Sequence, residues 1–131
     1  MLRRNLLLGV AGVAVLGVTG CATHPVSVQQ ATELPAAQLR TCIKRAAHRR
    51  GWRVVTDEPG SKMRIKYVKG PHVLVADVTY DNEGYMIEAV KEGSTLFNKD
   101  GTAHRKVNSW TANLTVTIRE EENKILLRQT N

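Results

Sequence analysis

The chain is short of the residues that announce a chemistry. Its two cysteines, Cys21 and Cys42, allow one disulfide at most, so no cross-linked framework holds the fold. There is no HxxxH, CxxC or HExxH spacing, and no recognisable metal motif includes His24, His48, His72 or His104. A Gly-rich phosphate loop, a haem-attachment motif, internal repeats and low-complexity tracts are likewise absent. Acidic side chains are scarce, 12 against 19 Lys and Arg, for a formal charge of +7. That balance suits anionic partners such as lipid headgroups, lipopolysaccharide phosphates or acidic polymers.

Missing too is an apolar run long enough to cross a bilayer. Leu6 to Val18 is apolar, but Gly9, Gly12 and Gly17 interrupt it, and it falls short of the roughly 20 residues a span requires. A buried core helix is equally disfavoured, because each glycine costs about 1 kcal/mol relative to alanine. The flanks give the run its meaning. Met1-Leu2-Arg3-Arg4 is a basic start, and Val18-Thr19-Gly20-Cys21 closes the segment with small residues. Together these parts describe a secretory signal peptide.

The closing four residues resemble the lipobox of bacterial lipoproteins. The resemblance implies that the Cys21 sulfur receives a diacylglyceryl group, that cleavage follows at Gly20/Cys21, and that Cys21 becomes an acylated N-terminus. Two or more acyl chains anchor a protein stably, at about 0.8 kcal/mol per buried methylene. Ala22, where an inner-membrane lipoprotein of enteric type would carry Asp, implies the inner leaflet of the outer membrane with the domain facing the periplasm. Arg3-Arg4 touches the twin-arginine export pattern, but paired basic residues are ordinary in such starts and general secretion is preferred. Export sets nucleic acid aside as a partner. Processing removes Arg3 and Arg4 and leaves the mature chain at about +5.

The expected organisation is a signal peptide at 1–20, a lipidated cysteine and flexible tether at 21–34, a small domain at 35–122 and a C-terminal tail at 123–131. The tether carries Thr23, Pro25, Ser27, Gln29, Gln30 and Thr32, with too little apolar content to order itself. Pro35 to Arg50 reads as a helix. Ala36, Leu39, Ile43, Ala46 and Ala47 form its apolar stripe, with Pro35 at the first helical position and Gly51 as its stop. Three strands follow. Lys62 to Tyr67 alternates strictly, with Met63, Ile65 and Tyr67 on one face. His72 to Tyr80 sets Leu74, Ala76, Val78 and Tyr80 against Val73, Val75, Asp77 and Thr79. Asp81-Asn82-Glu83-Gly84 marks a hairpin into Tyr85 to Val90. A second helix is expected from Ala103, Val107, Trp110, Leu114 and Ile118, capped by Asp100 or Thr102. The expected fold class is therefore α+β: a three-stranded antiparallel meander packed in two layers against two helices, in the order α-β-β-β-α. Leu39, Ile43, Val78, Trp110 and Leu114 are its expected core.

One further resemblance covers most of residues 39–118. The run His72…Ala76-x-Val78-x-Tyr80, Tyr85-x-Ile87, Gly93-Ser94-x-Leu96, His104…Asn108-x-Trp110…Leu114 is similar to a group of small, functionally uncharacterised lipoproteins of proteobacteria. Members often carry Ile-His and Tyr-Asn-x-Trp at the second helix, where this chain has Ala103-His104 and Val107-Asn108-Ser109-Trp110. The resemblance implies a fold and a compartment and brings no established activity.

Catalytic readings are thin. Ser94, His104 and Asp77 could be assembled as a nucleophile, base and orienting carboxylate, but almost any chain offers such a trio. A hydrolase using His104 and Ser94 is thus an alternative only. So is an inhibitor of lysozyme type, which a basic surface suits poorly because lysozymes are themselves basic. Cys42 reads as a small apolar core residue. What remains is a non-catalytic binding or structural module, anchored to the bilayer through Cys21 and lacking any cofactor or metal. It has two candidate surfaces. One is the basic helix face of Arg40, Lys44, Arg45, His48 and Arg49, with Arg40, Lys44, Arg45 and Arg49 as the candidate anion-binding residues. The other is the outer sheet face of Arg64, Lys66, Val73, Val75, Asp77, Met86 and Glu88. The partner is expected to be an anionic envelope component or an envelope protein.

Overall fold

The computed structural model describes residues 22–130; the segment read as a signal peptide and Cys21 itself lie outside the described residues. The elements are β1 (Ala22–Thr23), β2 (Val28–Ala31), α1 (Ala36–Arg49), β3 (Arg53–Glu58), β4 (Lys62–Lys69), β5 (His72–Tyr80), β6 (Gly84–Val90), β7 (Ala103–His104) and α2 (Lys106–Thr130). Five strands form one antiparallel sheet in the order β2-β6-β5-β4-β3, and β1 pairs separately with β7. The α+β class and the two helices stand. The three-stranded meander does not: β4, β5 and β6 are the centre of a wider sheet with an added strand on each edge.

Each added strand lacks the signal that identifies the central three. β3 pairs with β4, but its register shifts between Val54 and Thr56, leaving Val55 half-exposed. A bulge of this kind breaks strict alternation, so no period of two shows in Arg53–Glu58. β2 is Val-Gln-Gln-Ala, a short polar edge strand that hydrogen-bonds β6 from Val28↔Ile87 to Ala31↔Gly84. Gly84 is required there, because a Cβ on it would lie 2.2 Å from the Gln30 carbonyl oxygen.

These strands overturn the tether expected at 21–34. Among its described residues, 22–23 and 28–31 are strand and Leu34 is 1% exposed. Asn108 straps the segment down: its side-chain amide donates to the His24 carbonyl, and its Oδ1 accepts from Val26 N–H. The expected tail fares the same way, since 123–130 continue α2. The start of that helix is also shifted. Ala103 and His104 belong to β7, and the first helical N–H, that of Lys106, is accepted by His104 Nδ1 at 3.1 Å instead of by Asp100 or Thr102.

Both helices lie on one face of the sheet. Leu39, Ile43, Ala46 and Ala47 of α1 meet Leu114 and Ile118 of α2 over Met63, Ile65, Leu74, Ala76, Val78 and Ile87, all fully buried. Trp110, expected in the core, is half-buried and packs edge-on to Tyr67 at 4.8 Å between ring centres. The buried side of α2 also carries Val107, Thr111, Thr115 and Thr117. These threonines disfavour a helix through χ1 stiffness. Each donates its hydroxyl to the carbonyl four residues back, so none of the three is left unsatisfied in the interior.

The long axis of the sheet separates two ends. One holds the β4–β5 turn at Gly70-Pro71, and the other the β5–β6 turn at 81–83. Nine residues of β5 lie between, about 30 Å of strand. α1 begins at the second end, where Ala36 N–H donates to Asn82 Oδ1. α2 begins at the first, where the rings of His72 and His104 lie 6.3 Å apart, and finishes at the second, where Gln129 bonds Gln38.

Candidate functional site

The basic face of α1 is mostly matched by carboxylates from elsewhere in the chain. Arg40 donates from Nε and Nη2 to Asp57 of β3, and Lys44 Nζ is 3.6 Å from the same carboxylate. The Arg40 hydrogen bonds hold the Asp57 carboxyl below the usual range. Arg49 forks between Glu120 and Glu121 of α2, at 2.9 Å to each. Burial opposes the charge on Glu121, which is 3% exposed, but Lys124 and Arg49 outweigh it and keep the carboxyl below its ordinary range. Of the four residues assigned to anion binding, Arg40 and Arg49 are bonded to internal carboxylates and Lys44 is near one. Arg45 alone has no ion-pair partner among the described residues. With His48, Lys124 and Arg128 it borders a shallow groove between the helices.

The acidic partners explain what charge counting missed. Glu120-Glu121-Glu122 lies in the interior of α2. Glu122 accepts from the Thr32 hydroxyl and Glu121 meets Arg49, so the run ties α2 to both the β2 segment and α1.

The outer face of the sheet is likewise locked by charge pairing. Arg64 donates to both Asp77 oxygens, at 2.7 and 3.0 Å, and Lys62 stands 3.9 Å from Asp77. These hydrogen bonds from Arg64 keep the Asp77 carboxyl below its usual range. Val75 is not part of an open patch: the loop after β6 lies against it at Gly93, and Ser94 and Thr95 bond the backbone of β5.

Those bonds also account for the hypothetical catalytic trio. Ser94 Oγ accepts from Val75 N–H at 2.8 Å and donates to the Val90 carbonyl at 2.6 Å. Asp77 is held by Arg64, and His104 caps α2. Each member is committed to a different structural partner. The structure instead brings His72 and His104 together, and no group of three or more His, Cys, Asp or Glu able to hold a metal is present among the described residues. Cys42 is fully buried, and its thiol is pushed up to about 11 by that burial and by Glu122 and Glu121. A thiol of this kind is a poor nucleophile at neutral pH.

No family model, curated protein or solved structure matches the chain. No described helix is long and apolar enough to cross a membrane.

Proposed function

We propose that this chain is a lipid-anchored, non-catalytic module of the bacterial envelope, attached through Cys21 to the inner leaflet of the outer membrane and facing the periplasm. The observation that carries the reading is the position of Val18-Thr19-Gly20-Cys21. The first described strand begins at Ala22, so a cut at Gly20/Cys21 removes none of the elements described above. Ala22 in the place of an inner-membrane Asp supports the outer membrane. The engagement of Ser94, Asp77 and His104 in structural hydrogen bonds favours binding or support over hydrolysis. The resemblance to small proteobacterial lipoproteins points the same way.

The test is metabolic labelling with a fatty acid followed by membrane fractionation. Wild type is expected to carry the label and sediment with membranes, and Cys21→Ser to do neither. Equal labelling of both proteins, or release of wild type into the soluble fraction, overturns the reading.

A further inference from the structure

We infer that the end of the domain beside Cys21 docks directly on anionic phospholipid headgroups, so that the domain lies on its bilayer instead of hanging from a tether. The inference rests on the lipid attachment proposed above, and adds to it a surface, an orientation and a ligand class.

Covalent reach carries the first half of the argument. A free segment over 21–34 would let the domain stand about 45 Å away. The structure removes that slack, because Ala22 pairs with His104 and Thr23 with Ala103. Adjacent Cα atoms are about 3.8 Å apart, so a lipid attached at position 21 has one residue of covalent reach from Ala22, which is itself held on β7. Asn108 holds the following residues against the start of α2. The lipid thus leaves the domain at one defined corner.

Charge carries the second half. That corner is the end of the sheet holding the β4–β5 turn, since His104 of β7 stacks near His72 of β5. Lys69, Lys99 and Arg105 are exposed there and Lys106 partly so, and none of the four forms an ion pair with a described residue. Two carboxylates share this end: Asp100, whose Oδ1 accepts from the N–H and hydroxyl of Thr102, and exposed Glu92, which follows exposed Lys91 in the loop after β6. Exposed Val68 adds an apolar side chain beside Lys69. At the opposite end Glu33, Glu58, Asp81 and Glu83 outnumber the cations Lys62 and Arg128. A domain with this polarity, pinned at its basic end, presents cations to a negative surface within the Debye length of about 8 Å over which exposed charges act.

The experiment uses the full lipidated chain reconstituted into phosphatidylcholine vesicles with and without phosphatidylglycerol. A dye is placed on Lys99→Cys or, as the far-end control, on Glu58→Cys. Native Cys42 is buried and its thiol raised to about 11, so labelling at neutral pH reads the introduced cysteine. On phosphatidylglycerol vesicles, iodide quenching at position 99 is expected to be several-fold weaker than at position 58. The protection is expected to vanish in phosphatidylcholine, in high salt, and in the combined variant Lys69→Glu, Arg105→Glu, Lys106→Glu. Those positions are at or near the surface, and an acidic residue at a helix start is electrostatically favourable, so the variant is expected to fold; circular dichroism checks this. Flotation with vesicles reports the anchor separately. Failure of wild type to float overturns both readings. Flotation with equal quenching at the two positions, or protection indifferent to lipid charge and to the three reversals, overturns docking alone.

Discussion

The β4–β5–β6 meander and the segment from Ala22 to Leu34 are both folded, yet they are held in opposite ways. In the meander each strand pairs with its neighbour in sequence across a short turn, and alternate side chains enter the core. Its order is local and periodic. The amino-terminal segment has almost no periodicity and no neighbour in sequence to pair with. It is assembled from distant partners: β7 for Ala22–Thr23, Asn108 for residues 24 and 26, β6 for Val28–Ala31 and Glu122 for Thr32. A low-apolar stretch need not be a linker when the rest of the fold offers it an unpaired strand edge and a few well-placed polar side chains.

The most decisive way to break the comparison is at Gly84, where the two regions join. Alanine there suits the backbone but not the space, since its Cβ would meet the Gln30 carbonyl at 2.2 Å. Relief requires β2 to move off β6. The expected cost is about 1–3 kcal/mol, the usual range for forcing an extra carbon into a filled site, read from the urea midpoint. Amide exchange is expected to quicken at Gln30 and Thr32 while the β4–β5 ladder stays protected. Uniform loss of protection across the sheet would show that β2 is not a separable addition.

A smaller effect is expected from Asn108→Ala. It removes two hydrogen bonds to residues 24 and 26 at an exposed site, and an exposed backbone recovers part of the loss from water. The expected cost is about 1 kcal/mol, with faster proteolysis before Val28 and little change elsewhere. It also sharpens the docking proposal, because loosening this strap restores slack between the anchor and the domain. Unchanged proteolysis would mean that the β1–β7 pairing alone holds the segment.

The same contrast explains what was legible in the sequence. His72–Tyr80 and most of Lys62–Lys69 and Gly84–Val90 are readable because burial on one face imposes a period of two. α1 is readable because its stripe and Gly51 stop are both local; Gly51 adopts φ +84°, a conformation that favours glycine. β3 is hidden by its bulge and β2 by its edge position. The candidate site fails for a related reason. Arg40 and Arg49 look like free cations on a helix face, but their partners Asp57, Glu120 and Glu121 lie 17 or about 71 residues further along the chain. Charge composition is visible in a sequence, whereas its neutralisation depends on tertiary pairing. Cys42 is the converse case: its burial follows from its place beside the apolar stripe.

The smallest expected effect lies wholly inside the meander and concerns Arg64 and Asp77, which face each other across β4 and β5. Hydrogen bonds from Arg64 depress the Asp77 carboxyl in the folded chain, whereas the unfolded chain titrates near the ordinary value of about 3.9. A depressed carboxyl contributes stability that is present above the unfolded value and is lost as pH falls through the folded one. Arg64→Ala is therefore expected to lower the melting temperature slightly at neutral pH, a small effect because the pair is partly exposed. The gap between variant and wild type is expected to close below about pH 4 as Asp77 is protonated. Asp57 and Glu121 are depressed as well, but Arg64 bonds neither, so the acid-induced loss that they cause is common to both proteins and cancels in the difference. A gap that stays constant down to low pH would mean that Arg64 stabilises the sheet by packing its stem over β4 and β5, and that the ion pair adds nothing to a meander already fixed by its alternation.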